Sequence, residues 1–188
     1  MARASLSGRM RNDPVLVGDR AAKVDETVRR MKAAVEAADL EGFMATLSPD
    51  AVLRSPISAR AEFRGAADMR ELMRSVFETI EDIRYFEDVG DERARAVFYR
   101  AHVDSQPIEE ACLLHFDEEA RISELVLWIR PLPGVTRLAA ALGPRLARER
   151  SRPRAALVST ATKPLAWLTA VADKPLVRLV RPGRPRHE

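Results

Sequence analysis

The stretch ACLLHFDEEARISELVLWIRP, residues 111–131, decides the fold. Two apolar runs, Cys112-Leu113-Leu114 with Phe116 and then 125–129, flank the polar Asp117-Glu118-Glu119-Ala120-Arg121. Strand-forming runs joined by a short polar segment predict a β-hairpin. Leu125-Val126-Leu127-Trp128-Ile129 is apolar on both phases of the two-residue strand period, so both faces of that strand are expected to be covered.

Working outward from the hairpin, the same period holds over 83–89, over 94–104 with Asp104-Ser105-Gln106 as its turn, and over 108–116, with 122–131 as the last strand. Earlier in the chain the period is helical. Val24, Val28, Met31 and Val35 recur at spacings of four, three and four, which predicts an amphipathic helix. Asp39 is placed to cap a short second helix whose apolar positions are Leu40, Phe43, Met44 and Leu47, ended by Ser48-Pro49-Asp50. A strand at 51–54 stops before Pro56, a loop contains Glu62-Phe63-Arg64-Gly65, and a third helix from Ala66 carries Met69, Leu72, Met73, Val76, Phe77 and Ile80 as core. Helices followed by an antiparallel meander specify an α+β domain, with helices covering one face of a curved sheet. The other face carries Phe98, Leu113, Val126 and Trp128, an apolar patch that calls for a partner.

A chain of 188 residues, 46% hydrophobic and 31% charged, can bury one sizeable core plus an appendage. The division expected is a disordered N-terminal arm at 1–18, a domain at 19–133 and a basic, amphipathic helical extension at 134–188. The single cysteine, Cys112, excludes an internal disulfide and a cysteine-only metal site, and its apolar strand suggests a buried thiol in a reducing, cytoplasmic compartment. The opening MARASLSGRMRNDP is basic but lacks the apolar core of about 7–15 residues of a signal peptide, and no run of about 18 apolar residues follows. The net charge of +3 is uneven. Residues 145–188 hold 11 Lys/Arg against 3 Asp/Glu, or +8, leaving 20 basic and 25 acidic residues, or −5, in the rest.

The phrases VEAADLEGFMATLSPDAVLRSP at 35–56, Phe63-Arg64-Gly65, and HFDEEARISEL at 115–125 resemble the NTF2-like (nuclear transport factor 2) superfamily, in particular its SnoaL-like and ketosteroid-isomerase-like members, over residues 20–131. The resemblance implies a cone-shaped, cystatin-like roll: a curved antiparallel sheet wrapped around N-terminal helices, with a deep apolar pocket and often a homodimer through the outer sheet face. It also implies that steroid isomerisation by the family's mechanism is absent. The isomerases' general-base aspartate, just before the proline after the first strand, is Ser55 here. Their oxyanion-hole tyrosine on the first helix is Met31, and their protonated aspartate in the strand before the turn is Cys112. Polyketide cyclases and epoxide hydrolases share the superfamily, so fold alone selects no reaction.

If Cys112 faces the pocket, alternation puts Ile108, Glu110, Leu114 and Phe116 on its side, and pairing places Val97, Tyr99, Ala101 and Val103 inward. A slip of one residue would instead bring in Phe98, Arg100 and His102. The expected lining is Met31, Val35, Leu53, Ser55, Phe63, Val97, Tyr99, Cys112, Leu114, Phe116, Leu127 and Ile129. Glu110 is the candidate catalytic group, because a carboxyl desolvated in an apolar cavity has a raised pKa and can move protons near neutral pH, with Tyr99 as donor partner. The plainer alternative puts Glu110 at the mouth, solvated or paired with Arg100. Cys112 has no thiolate-stabilising neighbour in sequence and is expected to be inert. His102 and His115 are expected on the outer face, with no third ligand at a zinc-like spacing, so neither metal nor cofactor is expected. Arg130 is expected to pair with Glu124.

After Pro133-Gly134 a fourth helix carries Val135, Leu138, Leu142 and Leu146 on one side. Lys163-Pro164-Leu165 and Lys174-Pro175-Leu176 then recur eleven residues apart, and proline at a first helical position predicts short helices starting at each. The tail has three open readings: it packs on its own domain or dimer, covering the outer sheet face; it lies on an anionic membrane surface, making the protein membrane-peripheral; or it binds another protein or stays disordered. Nucleic acid is excluded, since the basic residues alternate with leucine and valine and no stacking series is present. The expectation is a dimeric protein binding a small, mostly apolar molecule in its cone, with cofactor-free cyclase- or isomerase-like acid–base chemistry. The competing expectation is a non-catalytic interaction protein acting through its tail. A cavity reaching Glu110 favours the first; a cone filled by Met31, Phe63 and Phe116 favours the second.

Overall fold

The computed structural model describes residues 14–180. In chain order its elements are α1 (Pro14–Glu36), α2 (Leu40–Met44), β1 (Leu47–Arg54), β2 (Glu62–Arg64), α3 (Gly65–Phe77), β3 (Ile80–Gly90), β4 (Ala94–Val103), β5 (Gln106–Phe116), β6 (Ile122–Arg130), α4 (Leu132–Arg150) and α5 (Arg152–Val180). The strands form one open, six-stranded sheet in the order β2-β1-β6-β5-β4-β3. It is antiparallel throughout except that β1 runs parallel to β6. This is the expected α+β roll, with the meander in sequence order and the N-terminal helices in its hollow.

The hairpin at 111–131 forms between β5 and β6, where Cys112 faces Leu127 and Leu114 faces Leu125. Its turn is tied by the Asp117 carboxylate, which accepts from the Arg121 backbone N–H and guanidinium at 2.8 Å each, and Ala120 takes φ 61° to close it. On β4 the inward set is Val97, Tyr99, Ala101 and Val103, all buried, while Arg100 and His102 are exposed. Period-2 alternation against a buried face fixes that register, because the slipped alternative would bury a guanidinium. The core joins this face to Val24, Val28, Met31 and Val35 of α1 and to Met69, Leu72 and Met73 of α3. Asp39 caps α2 as expected, its carboxylate accepting from Gly42 N–H at 2.9 Å.

Several expectations are corrected. Helix α1 begins at Pro14, inside the stretch assigned to a disordered arm, and 1–13 lie outside the described residues. Ser48-Pro49-Asp50 does not end a helix: α2 stops at Met44 and these residues lie within β1. The pairing of β1 with β6 shifts between Leu47 and Val52, and such a bulge tolerates a proline that offers no N–H to the ladder. Glu62-Phe63-Arg64 is not loop but strand β2, pairing antiparallel with β1. Among the described residues only one face of β6 is fully covered: Trp128 is 55% exposed on the other.

The extension folds differently from its sequence reading. Helix α4 packs over the hollow of the sheet, against β4, β5, β6 and α3, rather than on the outer face, and buries Leu138 and Leu142. The two expected short helices are one helix, α5, running through Pro164 and Pro175. Both prolines are exposed, as are Thr160 and Val171 four residues before them, so the carbonyls that lose a partner face water. α5 packs on α4, where the hydroxyls of Thr136 and Thr169 lie 2.6 Å apart. Among the described residues no helix is long and apolar enough to cross a membrane.

Candidate functional site

Between the helices and the concave face of the sheet lies a cavity of about 230 Å³. Alternation along β4, β5 and β6 aims side chains of one phase toward it, and α1, α3 and α4 close the other sides. Met31, Val35, Leu53, Ser55, Phe63, Val97, Tyr99, Glu110, Cys112, Leu127 and Ile129 all line it. Leu114 and Phe116 do not. Leu114 is fully buried in packed core, and Phe116 packs against that core at the hairpin end. The turn beyond that end is tied to α1, where the Arg20 guanidinium donates to the carbonyls of Asp117 and Glu118 at 3.0 and 3.2 Å.

Sequence reasoning missed several parts of the wall, among them Leu72, Met73 and Val76 of α3, which were expected only as core. Leu138, Leu142, Gly143 and Leu146 of α4 form one side, and Tyr85 of β3 another. Tyr85 lies two residues from buried Ile83, on the same strand phase, and that spacing was the available signal. Its ring meets the Tyr99 ring edge-on at 5.4 Å and 69°, and its hydroxyl donates to Met31 Sδ at 3.5 Å. Its backbone N–H donates to the Glu36 carboxylate of α1 at 2.9 Å, and Lys32 Nζ stands 5.8 Å from the ring centroid. The rim is exposed at Ile57 and Ser58, in the connection from β1 to β2.

Glu110 is 5% exposed and its carboxyl borders the cavity. It is not paired with Arg100. That guanidinium bonds the neighbouring Glu109 at 3.0 Å, as does Arg130 at 2.8 Å, while Glu124, the partner expected for Arg130, is held by Arg54 at 2.6 Å. Adjacent residues on a strand point to opposite faces, so Glu109 takes the cations outside and Glu110 faces the apolar interior. Burial pushes the Glu110 carboxyl up to about 8, with a hydrogen bond from the Tyr99 hydroxyl pulling the other way. Burial, then the charge of Glu110, holds Tyr99 well above the usual phenol range. Burial likewise raises Tyr85 and Cys112, so the Cys112 thiol is not a nucleophile at neutral pH. At neutral pH the site therefore offers a protonated carboxyl and neutral phenols in an apolar chamber. Such a carboxyl can donate a hydrogen bond or a proton to an oxygen placed against it, and its conjugate base can take one back.

Among the described residues no three His, Cys, Asp or Glu side chains gather as a metal site. His102 lies 4.0 Å from Asp82 and His115 4.0 Å from Glu124, both on the outer face.

The SnoaL-like domain family model matches residues 28–124. Among solved structures, a steroid delta-isomerase from Pseudomonas aeruginosa is 27% identical with a TM-score of 0.63, covering 69% of this chain and 95% of that one. A Silicibacter pomeroyi protein described as having a cystatin-like fold is 21% identical with a TM-score of 0.62, covering 68% and 93%. The epoxide hydrolase/cyclase-like enzyme SalBIII, of pyran ring formation in the polyether salinomycin, is 16% identical with a TM-score of 0.51, covering 58% and 92%. The latter two likenesses are of fold alone. No curated protein matches the chain.

Proposed function

The chain belongs to the SnoaL-like domain family, and from that premise we propose that it binds a small, mostly apolar molecule in the cone and moves a proton on it with Glu110. The observation that carries this reading is the Glu110 carboxyl, buried in an apolar cavity with no cation beside it among the described residues and pushed up to about 8 beside Tyr99. A carboxyl with that pKa is matched to proton transfer at physiological pH, and one that served only packing would be better replaced by an uncharged side chain. Tyr99 orients the carboxyl, and Tyr85 holds the Tyr99 ring from its edge. The ligand is an apolar skeleton bearing one carbonyl, hydroxyl or ether oxygen for Glu110. The reaction named for the Pseudomonas aeruginosa protein does not carry over, because Ser55, Met31 and Cys112 stand where the isomerases' three acid–base groups are expected and none is an acid or base at neutral pH.

The outer sheet face supports a homodimer as part of the same proposal. Phe86 and Trp128 are 47% and 55% exposed, Phe86 lies 6.3 Å from Phe98, and the Arg100 guanidinium sits 4.4 Å over the Phe86 ring. Exposed aromatics grouped on one face mark a contact surface.

The test is native mass spectrometry of the full chain purified from its own host. A co-purifying small molecule, lost in Glu110→Gln, is the expected result. Ligand-free protein in both cases, with no heat of binding for any apolar ketone or alcohol offered, would overturn the reading.

A further inference from the structure

We infer that α5 is a docking surface for an anionic lipid bilayer. The inference is independent of Glu110 and rests on how α5 distributes its side chains. Toward α4 it turns small or short residues, Val158, Thr162, Ala166 and Thr169, at spacings of four, four and three. Away from the protein it turns the large ones. Leu157 is 72% exposed, Trp167 67%, Leu168 56%, Val171 54% and Leu165 50%. Leu157, Pro164, Leu168 and Val171, spaced seven, four and three apart, form one stripe with Trp167 beside it. A helix needed only to brace α4 would be arranged the other way round.

Charge selects the occupant. By sequence α5 holds five Lys/Arg and one acidic residue, Asp173, within an extension that totals +8 over 145–188. A second copy would bring two such extensions together, whereas anionic headgroups neutralise them. A bilayer interface takes the apolar stripe below the headgroups, tryptophan at their level and lysine among them. The helix lies in the plane, since no described helix can span a membrane. The Thr136–Thr169 contact and the packing on α4 keep the docked helix attached to the domain.

The chain has two tryptophans, so Trp128→Phe leaves Trp167 as the sole reporter. The full-length variant is mixed with phosphatidylcholine vesicles with or without phosphatidylglycerol. The expected result is co-sedimentation only with phosphatidylglycerol, a shift of Trp167 emission to shorter wavelength, and weakening by salt. Leu168→Glu is expected to lower the bound fraction about tenfold, Lys163→Glu less, and Glu110→Gln not at all. Circular dichroism checks that helix content is kept; if Leu168→Glu loses helix, Lys163→Glu decides. Absence of sedimentation with either vesicle overturns the inference. So does equal binding to both, or an emission shift that follows protein concentration without lipid, the signature of a second copy.

Discussion

Tyr99 and Glu110 are direct cross-strand partners on β4 and β5, both facing the cavity and both 5% exposed. Cross-strand neighbours on one face have Cβ atoms about 5 Å apart, close enough for one side chain to set the other's protonation. The hydroxyl pulls the Glu110 carboxyl down against the larger upward effect of burial. Tyr99→Phe should therefore raise the Glu110 pKa further above about 8, as read from the carboxyl carbon shift of labelled glutamate against pH. A fall, or no change, would mean that the hydroxyl does not touch the carboxyl.

Glu110 also makes stability depend on pH. Its folded pKa of about 8 lies above the ordinary value of 4.5, so between these the folded chain holds a proton that the unfolded chain has released. Stability then falls as pH rises from about 4.5 to about 8, by at most about 5 kcal/mol in all, and is flat beyond. Glu110→Gln should flatten that slope and gain on the wild type at alkaline pH. Urea unfolding at several pH values measures it, and parallel profiles would show that the carboxyl is solvated.

Leu142 is 7% exposed and faces the cavity from α4, so its truncation removes both packing and wall. Leu142→Ala should cost about 2 kcal/mol in urea unfolding, the low end for a buried leucine because one side already borders space. It should also weaken retention of whatever molecule co-purifies.

Trp128→Asp tests the outer face. A charge amid Phe86, Phe98 and Val126 should turn a dimer into a monomer of near 21.0 kDa by light scattering, with unfolding little changed because Trp128 is mostly exposed in the single chain. A wild type that is itself monomeric would remove the proposed interface.

At α2 the smallest test is local. Asp39→Ala removes the carboxylate that accepts from Gly42 N–H and should cost about 1 kcal/mol, read from the thermal midpoint.

The fold was legible because its hairpin and helices carry clean periods. Val97-Phe98-Tyr99 is apolar on both phases, so 94–104 alone left two registers open, and pairing with 108–116 favoured the one with Val97, Tyr99, Ala101 and Val103 inward. Glu110 followed from setting Cys112 inward, two positions along the same strand. What stayed hidden depended on contacts distant in sequence. Pro49 argued for an ending, but a bulge opposite β6 absorbed it. The stripe Leu138, Leu142 and Leu146 announced an amphipathic helix without saying what lay beneath it. Arg130 found Glu109 rather than Glu124 because Arg54, 70 residues before Glu124 in sequence, had already taken the latter. Pro164 and Pro175 read as helix starts, since nothing local revealed that α4 would support one continuous helix.

The roof supplied by α4 has a consequence for how such chains are compared. The family match stops at residue 124 and α4 starts at Leu132, so one wall of the chamber is written outside the region by which kinship is recognised. Two proteins alike over 28–124 but followed by different helices would share the floor that carries Glu110 and differ in the wall that faces it. The shape of the chamber can diverge by swapping an ending, while Glu110 on β5 stays in place.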